Sequence, residues 1–336
     1  MSEGEMRRQQ ICVETGQKKP RILAVVGPTA SGKSALALEL AKRLDGEIVS
    51  CDSMQIYRGM DIGTAKPTLA ERTAVPHHLI DIAEPDEDFS VMDYVALAEQ
   101  AVADILSRGR LPIFCGGTGL YLDAFLRGGT PETPGSDPAL HAELEALARE
   151  RGVEYLHEVL RQVDPETAET VHQNNLRRVI RALEIHRLTG VAKSEWDRRS
   201  RLAPARYAAA VLGLAYTSRE LLYGRIDRRV DAMLSEGLVD ETRELMCRGV
   251  FKRSRTASAA IGYKELLPYL QGEILLDEAV KTLKTATRRY AKRQITWFSA
   301  KPYVLSVTAD EGGETRKSEE IVNISLELAA KAWNMI

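Results

Sequence analysis

The sequence predicts an α/β protein with a parallel sheet, together with an inserted helical domain and a helical C-terminal portion. Three observations lead to this fold class. Short apolar runs alternate with longer amphipathic segments over the first ~130 residues, which is typical of strands separated by helices. A stretch with a purely helical pattern follows. A β-like apolar run then returns at residues 207–214, which indicates that the helical stretch interrupts the α/β domain.

The elements of the first part are indicated by their residue types. The predicted strands are apolar runs bounded by turn residues, and the predicted helices repeat apolar residues at helical spacing. The strands are Ile22–Val26, Glu47–Ser50, His78–Ile82 and Leu111–Cys115, and the helices are Lys33–Leu44 and Val91–Leu106. Ligands bind at loops that leave the carboxyl ends of such strands. We therefore expect the functional site in the segments 27–34, 51–57 and 116–121.

A breaker-rich segment at residues 128–138 marks the first domain boundary. The later elements are predicted as helices at Ser218–Glu236, Val239–Arg248, Lys264–Leu270 and Asp277–Phe298, a strand at Tyr303–Val307 and a last helix at Glu319–Trp333. The predicted domains are a disordered lead-in at 1–20, a P-loop core at 21–130 and 207–336, and an inserted helical domain at 131–206.

The composition is that of a soluble globular protein. Apolar residues make up 44% and charged residues 28% of the 336 residues, and the formal net charge is −2. The four cysteines (12, 51, 115 and 247) lack the spacing of a zinc site, so we expect free thiols in the reducing cytoplasm. No apolar run approaches the ~18–20 residues that span a bilayer, and the N-terminus lacks the apolar segment of a secretory signal. We therefore expect no membrane association.

Residues 27–34, GPTASGKS, match the phosphate-loop motif G-x-x-x-x-G-K-[ST], after a predicted strand and at the start of a predicted helix. The glycines let backbone N–H groups approach phosphate oxygens. Lys33 adds a positive charge, and the Ser34 hydroxyl is placed to bind Mg²⁺. The residues predicted to bind a diphosphate or triphosphate are Gly27, Thr29, Ala30, Ser31, Gly32, Lys33 and Ser34.

The loop alone leaves the reaction open, because kinases, NTPases and a few transferases share it. A motor or switch NTPase normally has an apolar strand that ends in Asp, a second magnesium ligand. Leu111–Cys115 is followed by Gly-Gly-Thr, which argues against an ordinary ATPase. Asp52 lies on the same predicted sheet edge and could hold metal, act as a general base or cap a turn. Thr118 could donate to a phosphate or leaving-group oxygen, or cap the next helix.

Two segments are strongly basic although the total charge is balanced. Residues 172–206 contain nine Arg or Lys residues against three acids, and residues 281–301 contain seven and no acids. Such stripes are the expected footprint of nucleic-acid binding, because phosphate contacts dominate its affinity. A solvated helix face paired with acidic helices is the alternative.

Taken together, these pieces resemble the tRNA dimethylallyltransferases, also called tRNA isopentenyltransferases, of the bacterial type. The matching stretches are GPTASGKS (27–34), DSMQIYRGMDIGTAKP (52–67), PHHLIDI (76–82), GGTGLY (116–121), RRVIRALEI (177–185), SRELLYGRIDRRVDAML (218–234), IGYKEL (261–266) and TRRYAKRQITWF (287–298). They follow the family's order along most of the chain. Cysteine is absent after Cys247, so the C-terminal zinc finger of some eukaryotic relatives is not expected.

The resemblance implies transfer of a dimethylallyl group from dimethylallyl diphosphate to N6 of the adenosine immediately 3′ of the anticodon in tRNA. The phosphate loop would then hold a leaving group. Asp52 would remove the proton of the amine, and Thr118 would bond to the oxygen between the allyl carbon and the diphosphate. Arg219 would join Lys33 and Mg²⁺ in neutralising the departing charge. The adenine must be flipped into a pocket, and Gln55 is a candidate for reading its edge.

The resemblance also implies a set of contacts to the tRNA anticodon stem-loop. The predicted residues are Asp52, Ser53, Met54, Gln55, Arg177, Arg178, Arg181, Gly262, Tyr263, Lys264, Arg288, Arg289, Lys292 and Arg293. We expect a cytoplasmic monomer that holds the stem-loop between the core and the inserted domain.

Three other functions compete with this interpretation. A small-molecule kinase would leave the basic stripes unexplained, and a prenyltransferase for free adenine nucleotide would make them superfluous. A non-enzymatic RNA-binding protein would not need the intact Lys33, Ser34, Asp52 and Thr118.

Overall fold

The computed structural model describes residues 19–335, except for residues 129–134, 136 and 203. Of the lead-in predicted at 1–20, residues 1–18 lie outside the described residues. Parts of the segment at 128–138 and of the predicted insert also lie outside them.

Strands and helices alternate in the first part of the chain, a helical part follows, and the last part contains both. The first part contains β1 (Arg21–Val26), α1 (Lys33–Arg43), β2 (Gly46–Ser50), α2 (Leu69–Ala74), β3 (His77–His78), α3 (Val91–Ser107), β4 (Leu111–Gly116) and α4 (Gly119–Leu126). The helical part contains α5 (Pro138–Arg151), α6 (Val153–Val163), α7 (Pro165–Thr170), α8 (Leu176–Thr189) and α9 (Lys193–Leu202). The last part contains β5 (Ala208–Ala215), α10 (Arg219–Ser235), α11 (Leu238–Cys247), α12 (Val250–Arg253), α13 (Arg255–Ser258), α14 (Leu267–Leu270), α15 (Leu276–Ser299), β6 (Val304–Thr308), β7 (Asp310–Glu311), β8 (Glu314–Thr315) and α16 (Ser318–Asn334). Within the described ranges, none of these helices has the length and apolar character needed to cross a membrane.

Six strands form one parallel sheet in the order β3-β2-β4-β1-β5-β6. At its centre, Val25 of β1 lies opposite Cys115 of β4 on one side and Leu212 of β5 on the other. Because the ladders are parallel, the loops after β1, β2 and β4 emerge at the same edge. The predicted α/β fold with a parallel sheet is confirmed, and β5 joins this sheet although a helical stretch separates it from β4 in sequence.

β1 is buried on both faces, which explains its continuous apolar sequence. Ile22, Ala24 and Val26 pack on the side of α3 and α4. Leu23 and Val25 pack on the side of α1 and α16. The loop that follows β1 therefore starts from a strand that is held on both faces.

The chain divides into two compact units. One consists of the residues up to Leu126 and from Arg206 onward, and the other is Arg127–Ala205. The second unit is helical and has its own hydrophobic core. Among the buried core residues are Leu144, Leu156, Leu160, Val179, Ile180 and Leu183.

Two predicted elements are shorter in the structure. Of the strand predicted at His78–Ile82 only His78 belongs to β3, because Leu79 and Asp81 have φ values of 61° and 57° and leave the ladder. The helix predicted at Lys264–Leu270 is reduced to α14. Pro268 explains this shortening, since a proline lacks an N–H group and fits only the first turn of a helix.

Several short elements of the structure were not predicted, among them α2, α12, α13, β7 and β8. The short helix α2 begins after a capping box in which the side chains of Thr68 and Glu71 bond each other's backbone N–H groups. Its T-x-x-E pattern was therefore a usable signal. β7 and β8 form a hairpin around Gly312 and Gly313, both with positive φ.

Candidate active site

The phosphate loop leaves β1 at the carboxyl edge of the sheet and ends at the first residue of α1. Gly27 and Gly32 have φ values of 145° and 95°, which favour glycine. Gly27 also lacks room for a side chain, because a Cβ there would lie 2.9 Å from the Leu214 carbonyl oxygen. The loop thus has a tight fold at the positive end of the α1 dipole, where an anion is stabilised.

Lys33 is buried at the start of α1, with its Nζ donating to the Pro28 carbonyl oxygen at 3.3 Å. Burial, and next the nearby Arg229, lower the pKa of Lys33. The neighbouring Ser34 is exposed. Lys33 is therefore a desolvated cation that an incoming phosphate would stabilise, and Ser34 offers an accessible hydroxyl.

Helix α10 holds the outer side of the phosphate loop. The Nε of Arg225 donates to the Ala30 carbonyl oxygen at 2.8 Å, and its guanidinium lies over the Tyr216 ring. The Tyr216 hydroxyl in turn donates to the Ser31 carbonyl oxygen at 3.1 Å. These contacts fix the loop in one conformation and keep a second cation beside it.

Arg229 lies one helical turn beyond Arg225 and interacts electrostatically with both Lys33 and Asp52. Burial lowers the pKa of Arg229, and Asp52 opposes that effect. The residues around the outer opening of the loop form a cavity of about 320 Å³, lined by Ala30, Gly32, Lys33, Ser34, Ala35, Arg225, Arg228 and Arg229. Its cations are suited to a polyanion with several negative oxygens.

The predicted role of Arg219 stays a prediction, and the structure places other arginines nearer the loop. Arg219 is the exposed first residue of α10, and it does not belong to either cavity lining that contains Lys33. Arg225 and Arg229, spaced four residues apart on one face of the helix, take the place beside the loop. That i, i+4 spacing was the signal in the sequence that could have identified them.

Asp52 and Thr118 are brought together by the ends of β2 and β4. The Asp52 Oδ1 accepts from the Met54 N–H at 2.9 Å, so one oxygen is held in a turn. The Thr118 hydroxyl accepts from the Ser53 N–H at 3.0 Å and donates to the Ser53 Oγ at 3.3 Å. The two predicted catalytic residues therefore lie side by side, with Ser53 connecting the Asp52 turn to Thr118.

Gln55 does not present a free amide to a ligand. Its Oε1 accepts from the Ser50 hydroxyl at 3.0 Å, and its Nε2 donates to the carbonyl oxygens of Thr64 and Ala65, each at 3.2 Å. That this amide reads the adenine edge stays a prediction, since Gln55 lines a cavity with Asp52 but donates both amide hydrogens to backbone carbonyl groups. Gln55 fixes the segment 61–66 against the end of β2.

Tyr263 is fully buried, and its hydroxyl donates to the Glu241 carboxylate at 2.7 Å. The Glu241 carboxylate also accepts from the backbone N–H groups of Asp61, Ile62 and Gly63. The Tyr263 side chain therefore offers no exposed surface for the predicted contact with tRNA. Gly262 lines a cavity that also contains Lys33 and Asp52, and Lys264, two residues later, is exposed.

A second cavity contains the phosphate loop, Asp52 with Ser53, and apolar side chains together. It has a volume of about 320 Å³. Its polar lining includes Thr29, Lys33, Ser34, Asp52, Ser53, Gln55, Arg229 and Tyr290, and its apolar lining includes Ile48, Met54, Ile80, Val230, Met233, Ile261 and Leu283. Such a cavity can hold a molecule with an anionic end and a small apolar end next to a carboxylate.

Tyr290 and Gln294 of α15 also line this cavity and were not predicted as site residues. Burial, and next the charge of Asp52, raise the pKa of the Tyr290 hydroxyl, which is therefore a neutral donor. Gln294 bonds to the phosphate loop and to the turn after β4. Both lie in the stretch TRRYAKRQITWF, in which only the basic residues were predicted to bind a ligand.

The predicted RNA-binding side chains differ in their surroundings. Arg289, Lys292 and Arg293 are exposed on α15 and line a groove with Trp297 and Lys301. Arg288 forms an ion pair with Asp227. Arg177 and Arg178 are exposed on α8, whereas Arg181 forms an ion pair with the buried Glu184 at 3.3 Å.

Comparison with known proteins adds a second line of observation. A family model described as IPP transferase matches residues 55–301, and one described as isopentenyl transferase matches residues 20–81. The chain is 50% identical over 291 residues to "tRNA dimethylallyltransferase 1" of Pelobacter propionicus, covering 87% of this chain and 93% of that protein.

Solved structures are similar over the same extent. A full-length tRNA isopentenylpyrophosphate transferase from Bacillus halodurans is 45% identical, with a TM-score of 0.67 over 94% of this chain and 99% of the other. A eukaryotic dimethylallyltransferase acting on tRNA is 29% identical, with a TM-score of 0.78 over 93% of this chain and 80% of the other. The family resemblance inferred from the motifs is thereby confirmed, and the chain belongs to the tRNA dimethylallyltransferase (IPP transferase) family.

Proposed function

We propose that this chain transfers a dimethylallyl group from dimethylallyl diphosphate to N6 of the adenosine immediately 3′ of the anticodon in tRNA, and releases diphosphate. One observation carries the proposal. The phosphate loop and Asp52 line a single cavity whose wall also contains apolar side chains such as Val230, Met233 and Leu283. That combination matches a donor with a diphosphate at one end and five carbons at the other, beside a group that can accept a proton.

The diphosphate of the donor binds in this proposal at the N-terminus of α1. Backbone N–H groups of the loop, Lys33, Arg225 and Arg229 supply its hydrogen bonds and charge. The N6 nitrogen attacks the first allyl carbon, and the bond from that carbon to the diphosphate oxygen breaks. The negative charge that develops on the leaving oxygen faces preorganised cations, which lowers the barrier.

Asp52 is the proposed acceptor of the proton that N6 loses. The adenine amine is a weak nucleophile, because its lone pair is delocalised into the ring, so proton removal accompanies formation of the C–N bond. One Asp52 oxygen is held by the Met54 N–H, which orients the carboxylate and leaves the other oxygen for the amine. In this proposal Tyr290 donates to the bridging oxygen, and the Thr118 hydroxyl exchanges its bond to the Ser53 Oγ for one to that oxygen.

Mg²⁺ fits the residues at the loop. Ser34 has an exposed hydroxyl and lines both cavities together with Lys33, as a ligand shared with diphosphate oxygens requires. When bound there, Mg²⁺ would supply further positive charge to the leaving group.

The tRNA is proposed to contact exposed basic residues of both units. In the first unit these are Arg289, Lys292 and Arg293, with Lys264 near the cavity. In the second they are Arg177 and Arg178. The target adenosine reaches Asp52 only if it is unstacked from the anticodon loop. We further propose that the protein acts as a monomer in the cytoplasm, and light scattering with and without tRNA tests the first of these points.

The test is a reconstituted reaction. The purified chain is incubated with unmodified tRNA, dimethylallyl diphosphate and Mg²⁺, and the nucleosides are analysed by mass spectrometry. We expect N6-prenylated adenosine at the position 3′ of the anticodon and one diphosphate per transfer. Product on free adenine nucleotide but not on tRNA, or ATP-dependent phosphorylation of a small acceptor with no prenyl transfer, would overturn the proposal.

A further inference from the structure

Gln294 is a buried amide in the middle of α15, and only 4% of it is exposed. Its Oε1 accepts from the Thr29 N–H of the phosphate loop at 2.8 Å. Its Nε2 donates to the Gly117 carbonyl oxygen, in the turn after β4, at 3.1 Å. One planar amide therefore connects two loops that come from neighbouring strands.

One end of this bridge lies at the proposed diphosphate site, and the other lies beside the residues proposed to act on the attacking amine. Thr29 lies in the loop that would hold the diphosphate. Gly117 immediately precedes Thr118, whose hydroxyl bonds Ser53 beside Asp52. The rigid amide of Gln294 thus sets the separation between the leaving-group site and the residues that would face the bridging oxygen and the amine.

The surroundings of Gln294 are built for this contact. A Cβ at Gly117 would lie 2.0 Å from the Gln294 Nε2, so the close approach requires glycine. The neighbours of Gln294 on the buried face of α15, Ala291 and Phe298, are apolar. A buried amide is unfavourable unless its polar atoms are bonded, and both polar atoms of Gln294 are bonded to backbone groups of the two loops. Tyr290, one turn earlier, interacts with both Thr118 and Gln294.

We propose that Gln294 is a positioning residue, which holds the phosphate loop and the Thr118 turn at the spacing that the prenyl transfer needs. The inference rests on the proposed function. It assigns to Gln294 no contact with the substrate and no proton transfer. Its effect is on how the donor is held, because it removes the freedom of the two loops to move apart.

The substitution Gln294→Met tests the role, because methionine has a similar length but makes neither hydrogen bond. We expect the KM for dimethylallyl diphosphate and the Kd for inorganic diphosphate to rise about tenfold, as for loss of a net hydrogen bond at the loop. We expect kcat to fall as well, and the Kd for tRNA to stay within about twofold, since the RNA-facing side chains of α15 are unchanged. Thr282→Ala is the control, because Thr282 is exposed on the same helix and bonds only the Glu278 carbonyl oxygen.

A second substitution perturbs the bridge from the other side. Gly117→Ala places a methyl group against the flexible end of Gln294 and should displace the amide while leaving position 294 itself intact. We expect the same rise in donor KM and the same unchanged tRNA Kd. If Gln294→Met fails to fold, Gly117→Ala and the shorter Gln294→Asn, which can reach only one partner, carry the test.

The outcomes separate the two proposals. Donor KM and diphosphate Kd within twofold of wild type in these variants would overturn the role of Gln294. A parallel loss of tRNA affinity, donor affinity and thermal stability would also overturn it, because that pattern indicates general damage to the fold. If the wild-type protein itself binds no diphosphate and forms no prenylated adenosine, the proposed function fails instead.

Discussion

Replacement of Asp52 by asparagine removes the proposed base while keeping the local structure. The asparagine Oδ1 can still accept from the Met54 N–H, so the turn that holds position 52 is retained. Loss of a positioned general base costs about 10²–10⁴ in rate, which corresponds to about 2.7–5.4 kcal/mol in the activation free energy. The donor site should not weaken, because Asp52 contributes negative charge near Lys33 and Arg229, and its removal leaves those cations more available to the diphosphate.

The assay is a single-turnover reaction with saturating tRNA and dimethylallyl diphosphate, in which prenylated adenosine is followed by mass spectrometry. We expect Asp52→Asn to lower the rate of the chemical step by at least about a hundredfold, with diphosphate Kd equal to or lower than that of wild type. Asp52→Ala should lose a similar rate but also leave the Met54 N–H without its partner, which costs about 1 kcal/mol of stability. Comparing the two variants by thermal unfolding separates the turn from the chemistry.

A single-turnover rate within tenfold of wild type for Asp52→Asn would refute the general-base assignment. Slow turnover accompanied by a large rise in diphosphate Kd would also refute the reasoning, because it would place the role of Asp52 in donor binding. Ser53→Ala is a useful comparison, since Ser53 contacts Thr118 but carries no charge.

Three further predictions concern the charges of the site. Arg229→Met should raise the KM for dimethylallyl diphosphate at least about tenfold, whereas Arg219→Met should leave it within about twofold; equal effects would support the original assignment of Arg219. The lowered pKa of Lys33 should rise when diphosphate binds, so calorimetry in buffers of different ionisation enthalpy should detect proton uptake at alkaline pH in wild type but not in Lys33→Met. Lys292→Gln should reduce the slope of log Kd for tRNA against log salt by about 0.7–0.9, and the exposed Lys331→Gln should not change it; equal slopes would remove Lys292 from the RNA surface.

The features that could be predicted from the sequence are those encoded by neighbouring residues. The phosphate loop is specified within eight positions by two glycines, Lys33 and Ser34, and the strand and helix around it follow from local patterns. The place of Asp52 at the same edge also follows, because parallel strands bring their carboxyl ends together. In each case the physical cause acts over a short stretch of chain or through a general rule of topology.

The features that could not be predicted depend on contacts between distant segments. Gln55 looked like a ligand-reading amide, but the carbonyl groups of Thr64 and Ala65 take its donors. The resemblance implied a contact between Tyr263 and tRNA, yet Tyr263 packs under Gly63 and bonds Glu241. A side chain near a site can serve the ligand or the scaffold, and only the three-dimensional partners decide which.

The glycines of the GGTG turn connect this scaffold to the proposed chemistry. A Cβ would lie 2.0 Å from the Cys51 carbonyl oxygen at Gly116, 2.0 Å from the Gln294 Nε2 at Gly117 and 2.1 Å from the Trp297 Nε1 at Gly119. The turn is therefore rich in glycine because the end of β2 and helix α15 both approach it closely. Thr118 lies within this turn. The close packing of the turn against Cys51 and Gln294 therefore also places the Thr118 hydroxyl, the proposed donor, beside the Asp52 segment and the phosphate loop. Since packed interiors do not deform freely, we expect the spacing of these proposed reacting groups to be set by the close contacts at the glycines and not by the loops alone.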